Sequence, residues 1–363
     1  MNNRERLRAA LSFTGIDRPC HVEQGFWEET YTNFLKEGLP QEIQYPSFEY
    51  IRQKPDLFSY FDLIKFGYML SSQYFAPPFE YQILEENEKY RIEISEKGIK
   101  QKILKDNPSV PEYLSYPIQE KNDYKRLRDR LISQTERRFP DEWKELVRQM
   151  KNQTSTAVVI HIDGFFGYPR ELMGLETFLL NLYQDPEFIR QLISDRCNFY
   201  CNFLERVMAD IKPDLVFVWE DMCYKNGPLL SPTMFEEFML PAYKKLTQFI
   251  KEAGVQNIIV DSDGDVSKLI PLFLKGGVTG LLPFEVKAGM DIVEIAEEYP
   301  NLQIIGGIDK HAIAKGREAI DREIDRVLPF LQKRGGYCVS LDHWVPPEIH
   351  LDDFRYYVDR VRE

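Results

Sequence analysis

Ala157-Val158-Val159-Ile160-His161-Ile162-Asp163-Gly164 carries the reading of the fold. It is a short apolar run, rich in β-branched residues that suit extended backbone, and it ends in a histidine and an acid. The pattern returns along the chain. Leu215-Val216-Phe217-Val218 runs into Trp219-Glu220-Asp221, and Ile258-Ile259-Val260 into Asp261-Ser262-Asp263-Gly264. Gly280-Leu281-Leu282 precedes Glu285, Ile304-Ile305-Gly306-Gly307 precedes Asp309, and Tyr337-Cys338-Val339-Ser340 runs into Asp342-His343-Trp344. Strands without polar alternation belong to a parallel sheet covered on both faces, and polar groups at their C-terminal ends are where such sheets keep active sites. One such end is chance, whereas six describe a ring of polar groups around one pocket.

Helices with readable ends lie between these runs. Asp185-Pro186-Glu187 places a capping acid before a proline at the first helical position, and opens a helix toward Asp210. Ser231-Pro232 opens another, closed by Gly254 and expected to distort at Pro241. Asp265 and Asp291 read as caps. Strand and helix alternate from Ala157 onward, which predicts right-handed βα units. The first half is less regular. Arg4 to Ser12 reads as a helix, Cys20-His21-Val22 as a first strand, and Phe61 to Lys65 as a further strand end. Tyr81 to Leu84, Tyr90 to Ile94 and Lys100 to Leu104 predict an antiparallel meander inserted at about residues 75–110, with Asp106 to Pro111 an exposed connection. The expected fold is α/β: a (β/α)8 TIM barrel, residues 1–363 as one domain, carrying that meander in its N-terminal half.

Composition narrows the partners. A formal net charge of −12 over 363 residues opposes a nucleic-acid or anionic-membrane surface. No apolar stretch is long enough to span a bilayer, and the start leads into no signal-like segment. Five cysteines without regular spacing make no disulfide framework and fit a reducing, cytoplasmic setting. Cys197 and Cys201 read as helix packing residues, and Cys20, Cys223 and Cys338 lie near strands with no base implied beside them.

Several segments together resemble the uroporphyrinogen decarboxylase superfamily, which includes decarboxylases of uroporphyrinogen and cobalamin-linked methyltransferases. They are Arg4 to Leu11 with Asp17-Arg18-Pro19, Glu220-Asp221 with Gly227 to Pro232, Phe235 to Pro241, Gly306 to Asp309, and Asp342 to Pro347. The resemblance implies a (β/α)8 barrel and, from the decarboxylase branch, a homodimer with facing mouths. Two departures bear on the reaction. Decarboxylases of this resemblance carry Arg-Gln-Ala-Gly-Arg after the first strand, whose arginines face the substrate's carboxylates. His21 to Glu29 stands there instead, with acids at Glu23, Glu28 and Glu29 and no arginine. Uroporphyrinogen bears eight carboxylates, and an acidic wall would repel them. The methyltransferase branch has a zinc-binding His-x-Cys-Gly where Asp261 to Gly264 stands, and a cysteine where His343 stands. This chain therefore offers Asp261, Asp263 and His343, which zinc, manganese or iron(II) could accept, or which serve as metal-free acid and base groups.

Around that set the candidates have stated alternatives. His161 and Asp163 share a strand face and line the pocket, unless Asp163 only caps a turn. Glu220 and Asp221 point to opposite sides, with Asp221 matching the substrate-facing position of the family. Glu285 matches a strand-end acid of the methyltransferase branch. Arg170 clamps an anionic group or makes an ion pair; Asp309 caps a helix or faces the pocket. Trp27, Trp219, Tyr224 and Trp344 surround the mouth. Three functions follow: methyl transfer from a small methylated substrate or a corrinoid on a partner protein, decarboxylation of a tetrapyrrole or of a smaller, less anionic carboxylate than uroporphyrinogen, or binding of a tetrapyrrole or small ligand without catalysis.

Overall fold

The computed structural model describes residues 1–46, 55–68, 73–106 and 111–363. Seven parallel strands form one sheet: β1 (Phe66–Tyr68), β6 (Ala157–Asp163), β7 (Leu215–Trp219), β10 (Ile258–Asp261), β11 (Gly280–Leu282), β12 (Gln303–Ile305) and β13 (Tyr337–Cys338) are neighbours in that order. Between β1 and β6 the chain makes an antiparallel meander of β2 (Gln82–Glu86), β3 (Tyr90–Ile94), β4 (Lys100–Leu104) and β5 (Glu112–Ser115). A two-residue hairpin, β8 (Cys223–Tyr224) with β9 (Gly227–Pro228), follows β7. The meander gains a fourth strand over the expected three. Most of its expected connection, residues 107–110, lies outside the described residues.

The expected first strand is reduced to single parallel bridges, His21 to Val339 and Val22 to Ile64. The Val22 amide donates to the Val339 carbonyl (2.8 Å), and the Ile64 amide to the His21 carbonyl (2.9 Å). This segment therefore touches both ends of the seven-stranded order. The strand end expected at Phe61 to Lys65 starts later: Phe61 and Asp62 close the short helix Leu57–Tyr60, and β1 begins at Phe66.

Period-two alternation sorts each strand into two environments. Val158, Ile160 and Ile162 join the apolar cluster beneath the helices, as do Val216, Val218, Ile258 and Val260. Ala157, Val159, Leu215, Phe217 and Ile259 join a second cluster within the curl of the sheet, which helix Asn3–Leu11 plugs with Leu7, Ala10 and Leu11. The sheet is thus buried on both faces, as its unbroken apolar runs required. Asp185 caps helix Pro186–Asp210 through the Phe188 amide (3.1 Å). The helix opened by Ser231 widens into a π-turn over Phe235–Met239, directly before Leu240 and Pro241; a proline without an N–H leaves a carbonyl that a wider turn accommodates. Asp309 and Asp291 accept from amides at the starts of their helices and act as caps. Among the described residues no helix is long and apolar enough to cross a membrane.

Candidate active site

The inward parity of the strands continues past their ends, and it builds the site. His161 and Asp163 follow Ala157 and Val159, Trp219 and Asp221 follow Leu215 and Phe217, and Asp261 and Asp263 follow Ile259. All six line a cavity of about 540 Å³ at the C-terminal ends of the strands. His343 and Trp344, after β13, complete it with Trp27 and Gln24 from the first segment.

Three carboxylates meet there. Asp221, Asp261 and Asp263 each offer an oxygen, and these oxygens lie within 4.8 Å of one another. Asp261 is held well above the ordinary carboxylate range by burial, then by the charges of Asp221 and Asp263. Burial and Asp263 raise Asp221 as well, against the pull of Arg170. Asp221 sits in left-handed backbone (φ 46°), a conformation unfavourable for most residues but accessible to Asp. Arg170 fixes it there, donating to its carbonyl (2.7 Å) and lying 3.4 Å from its carboxylate. Gly264, at φ 78°, turns the chain after Asp263, and its amide donates to Glu285 (3.0 Å).

The histidines differ. His343 Nε2 lies 3.6 Å from Asp263, with its ring stacked at 6.0 Å on Trp27. His161 is packed against Tyr68 and Phe217, and burial pushes its pKa below the ordinary imidazole value. Asp163 accepts the Tyr74 hydroxyl. Trp344 packs so closely on Gly25 that a Cβ there would stand 2.9 Å from the indole.

Four expected residues are elsewhere. Glu220, placed among the substrate contacts, is fully buried with outward parity, and its carboxylate accepts the amides of Phe165 (2.8 Å), Phe166 (2.7 Å) and Gly167 (2.8 Å) and the Tyr243 hydroxyl. Burial, opposed by those bonds, puts its pKa at about 7. Arg170, Tyr224 and Glu285 line an adjoining cavity of about 680 Å³, which shares Asp221 and Asp263 with the first. Arg170 is committed to Asp221 and to the face of Trp219, 4.6 Å away. Cys223 is buried, and burial pushes its thiol up to about 12.

The acids expected to make the wall negative are also relocated. Glu23 is buried and bonded to His21 (2.9 Å), Ser340 (3.1 Å), the Leu341 amide (3.1 Å) and Tyr357 (3.2 Å). Glu28 and Glu29 start an exposed helix turn. The negative lining comes instead from Asp163, Glu171, Asp221, Asp261 and Asp263, and among the described residues that line the cavity there is no arginine. Glu171, Lys97 and Gln24 escaped the sequence reading. Lys97 reaches the cavity from the β3–β4 turn and pairs with Glu171 at 2.7 Å. No periodicity joins that turn to a strand end.

Residues 93–363 match the model of the uroporphyrinogen decarboxylase family. The chain belongs to that family. Its curated relatives include the uroporphyrinogen decarboxylase of Thermus thermophilus, 24% identical over 168 residues (44% of each chain), and that of Geobacter metallireducens, 29% identical over 145 residues (37% of this chain and 38% of that one). The chain spans less than half the length of these relatives. Among solved structures, a methyltransferase from Methanosarcina mazei superposes over 99% of this chain and 98% of that one, with a TM-score of 0.58 at 13% identity, a likeness in fold.

Proposed function

We propose that the chain is a methyltransferase of this family. Its strand-end cavity takes a small methylated substrate, and the methyl group passes to a corrinoid carried by a partner protein. The observation that carries this reading is the meeting of Asp221, Asp261 and Asp263 in a cavity whose described lining has five carboxylates and no arginine. A polyanionic porphyrinogen would meet repulsion of about 4 kcal/mol per close pair at an effective dielectric near 20. The bridges of His21 and Val22 to the two outer strands support a closed (β/α)8 ring formed as one domain, with the meander inserted in it.

The cluster also fits a divalent cation. Its donors are carboxylate oxygens, with the His343 imidazole beside Asp263, a set that manganese, iron(II) or zinc accepts without a thiolate. Asp221, Asp261 and Asp263 would hold the ion, which would supply Lewis acidity toward a heteroatom of the substrate. The chain's own part is to orient the substrate between the carboxylates and the tryptophans, and to keep water out of the buried end at His161.

A decarboxylase acting on a smaller substrate is favoured by one feature. Asp261, whose pKa burial and the neighbouring acids raise, could deliver a proton to a carbanion. One assay separates the readings. The protein is mixed with cob(I)alamin and a panel of methylated compounds, and methylcobalamin formation is followed by its visible spectrum. Methyl transfer that is lost in Asp263→Ala and His343→Ala is the expected result. Carbon dioxide release from uroporphyrinogen at ordinary enzyme rates would overturn the proposal.

A further inference from the structure

Several polar groups around the cavity have no partner. The His161 ring and the Asp261 carboxylate are partly buried in the cavity lining and take no hydrogen bond among the described residues. The Gln24 amide nitrogen, buried in the same lining, has none either. Polar groups that face a cavity without protein partners are free to bond a molecule that enters it. The charge around them is one-sided. Of the five carboxylates, Glu171 is answered by Lys97 and Asp221 by Arg170. Among the described residues Asp261 and Asp263 face the cavity with no lysine or arginine paired to them, while Asp163 accepts the Tyr74 hydroxyl and feels the charge of the buried Arg196.

Three indoles share the wall with Gln24, Lys97, His161 and His343. Trp27 and Trp344 lie 5.2 Å apart at the rim, and Trp219 stands at the end of β7. A tryptophan face attracts a cation through its quadrupole, and Trp219 already holds the Arg170 guanidinium in this way. Carboxylates with indoles suit an organic cation better than a bare metal ion, which gains nothing from an aromatic wall. The volume of about 540 Å³ has room for a small molecule.

We infer that the cavity binds a small methylated ammonium ion, whose cationic head sits between Trp27, Trp219 and Trp344 and the Asp163, Asp261 and Asp263 carboxylates. The inference rests on the reading of this cavity as the methyl-donor site and names the donor's class. The ammonium supplies the positive charge that a divalent ion would otherwise bring, so the two compete for the same carboxylates.

The test is calorimetric titration of chelator-treated protein with choline, and with its uncharged carbon analogue in which a tert-butyl group replaces the trimethylammonium. Choline is expected to bind at least about tenfold more tightly, a gap that one cation–π contact and one ion pair supply. Mn²⁺ is expected to weaken it. Asp261→Asn and Trp27→Leu should each lose about tenfold in choline affinity, with the melting temperature of the empty protein unchanged. Equal affinity for choline and the analogue, or choline binding unaffected in both variants, overturns the inference. Choline binding without methyl transfer to cob(I)alamin overturns the methyltransferase reading alone. Methyl transfer from neutral ethers or thioethers, with no ammonium binding, overturns this inference alone.

Discussion

Glu220 and Asp221 are adjacent in sequence and opposite in fate. Glu220 turns outward into the frame and, together with Glu23 and Asp342, forms a set of fully buried carboxylates bonded to amides or side chains of neighbouring segments. Asp342 accepts the Val286 (2.9 Å) and Lys310 (3.1 Å) amides, so the last strand is tied to two preceding loops. Asp221 turns inward and joins two other acids that face one another across a cavity. The same functional group thus does two jobs. Where backbone amides converge on it, a carboxylate is an internal clasp for loops that lack regular structure. Where other carboxylates converge on it, it stores electrostatic tension that a cation can release. The clasp set is fully buried, whereas the cavity set is only partly so, with Asp263 38% exposed, so partners and access to the cavity together decide the role.

The contrast breaks most sharply at the clasp. Glu220→Ala leaves three buried amides and a tyrosine hydroxyl without an acceptor, and should cost about 4 kcal/mol in chemical unfolding. A loss under 1 kcal/mol would mean that water replaces the carboxylate, and the distinction between clasp and cavity would fail. Asp263→Ala should do the reverse. We expect it to leave stability within about 0.5 kcal/mol of the parent, since relief of its neighbours' repulsion offsets loss of the partly exposed His343 contact, while the proposed methyl transfer falls about a hundredfold, equivalent to about 2.7 kcal/mol.

Gly164→Ala sharpens the clasp further. Its Cβ would stand 2.0 Å from the Glu220 carboxyl carbon, and overpacking of that kind costs about 2 kcal/mol. If the melting curve does not shift, the clasp has more room than this close approach leaves. The smallest effect concerns a surface pair that resembles neither set. Partial burial works against ionisation of Glu37, but the Leu351 amide (2.7 Å) and His350 (2.8 Å) outweigh it and hold the carboxyl below its ordinary value. Glu37 in turn raises His350. A lowered acid stabilises above its unfolded value near 4.5 and loses that as pH falls; a raised histidine stabilises below its unfolded value near 6.5 and loses that as pH rises. The difference in stability between the parent and Glu37→Gln should therefore peak between those values and, after solvent screening, amount to about 0.5 kcal/mol or less. A difference that does not vary with pH would show that only the Leu351 contact matters.

Much of this was legible in the chain. The runs from Ala157 onward gave strand type and order, because a parallel sheet buried on both faces needs uninterrupted apolar residues. Period-two parity paired His161 with Asp163 and Asp261 with Asp263, and it separated Glu220 from Asp221. Local chemistry supplied the caps at Asp185 and Asp291, while at Asp309 the sequence left cap and pocket open and the structure shows the cap. The expected set of Asp261, Asp263 and His343 found its third carboxylate in Asp221, which had been expected around it. Lys97 and Glu171 were not legible, since their meeting joins the meander to a helix far along the chain. The wall acids were misplaced because position in the sequence after the first strand says nothing about side-chain direction in an irregular turn.

The amino-acid sequence alone determined the alternation of strand and helix, the end of the sheet that carries the polar groups, and which neighbours share a face. These follow from local backbone geometry and the burial of apolar runs. Only the tertiary structure decided which carboxylates are enclosed by amides and which are left facing one another, because that depends on which loops converge from distant parts of the chain.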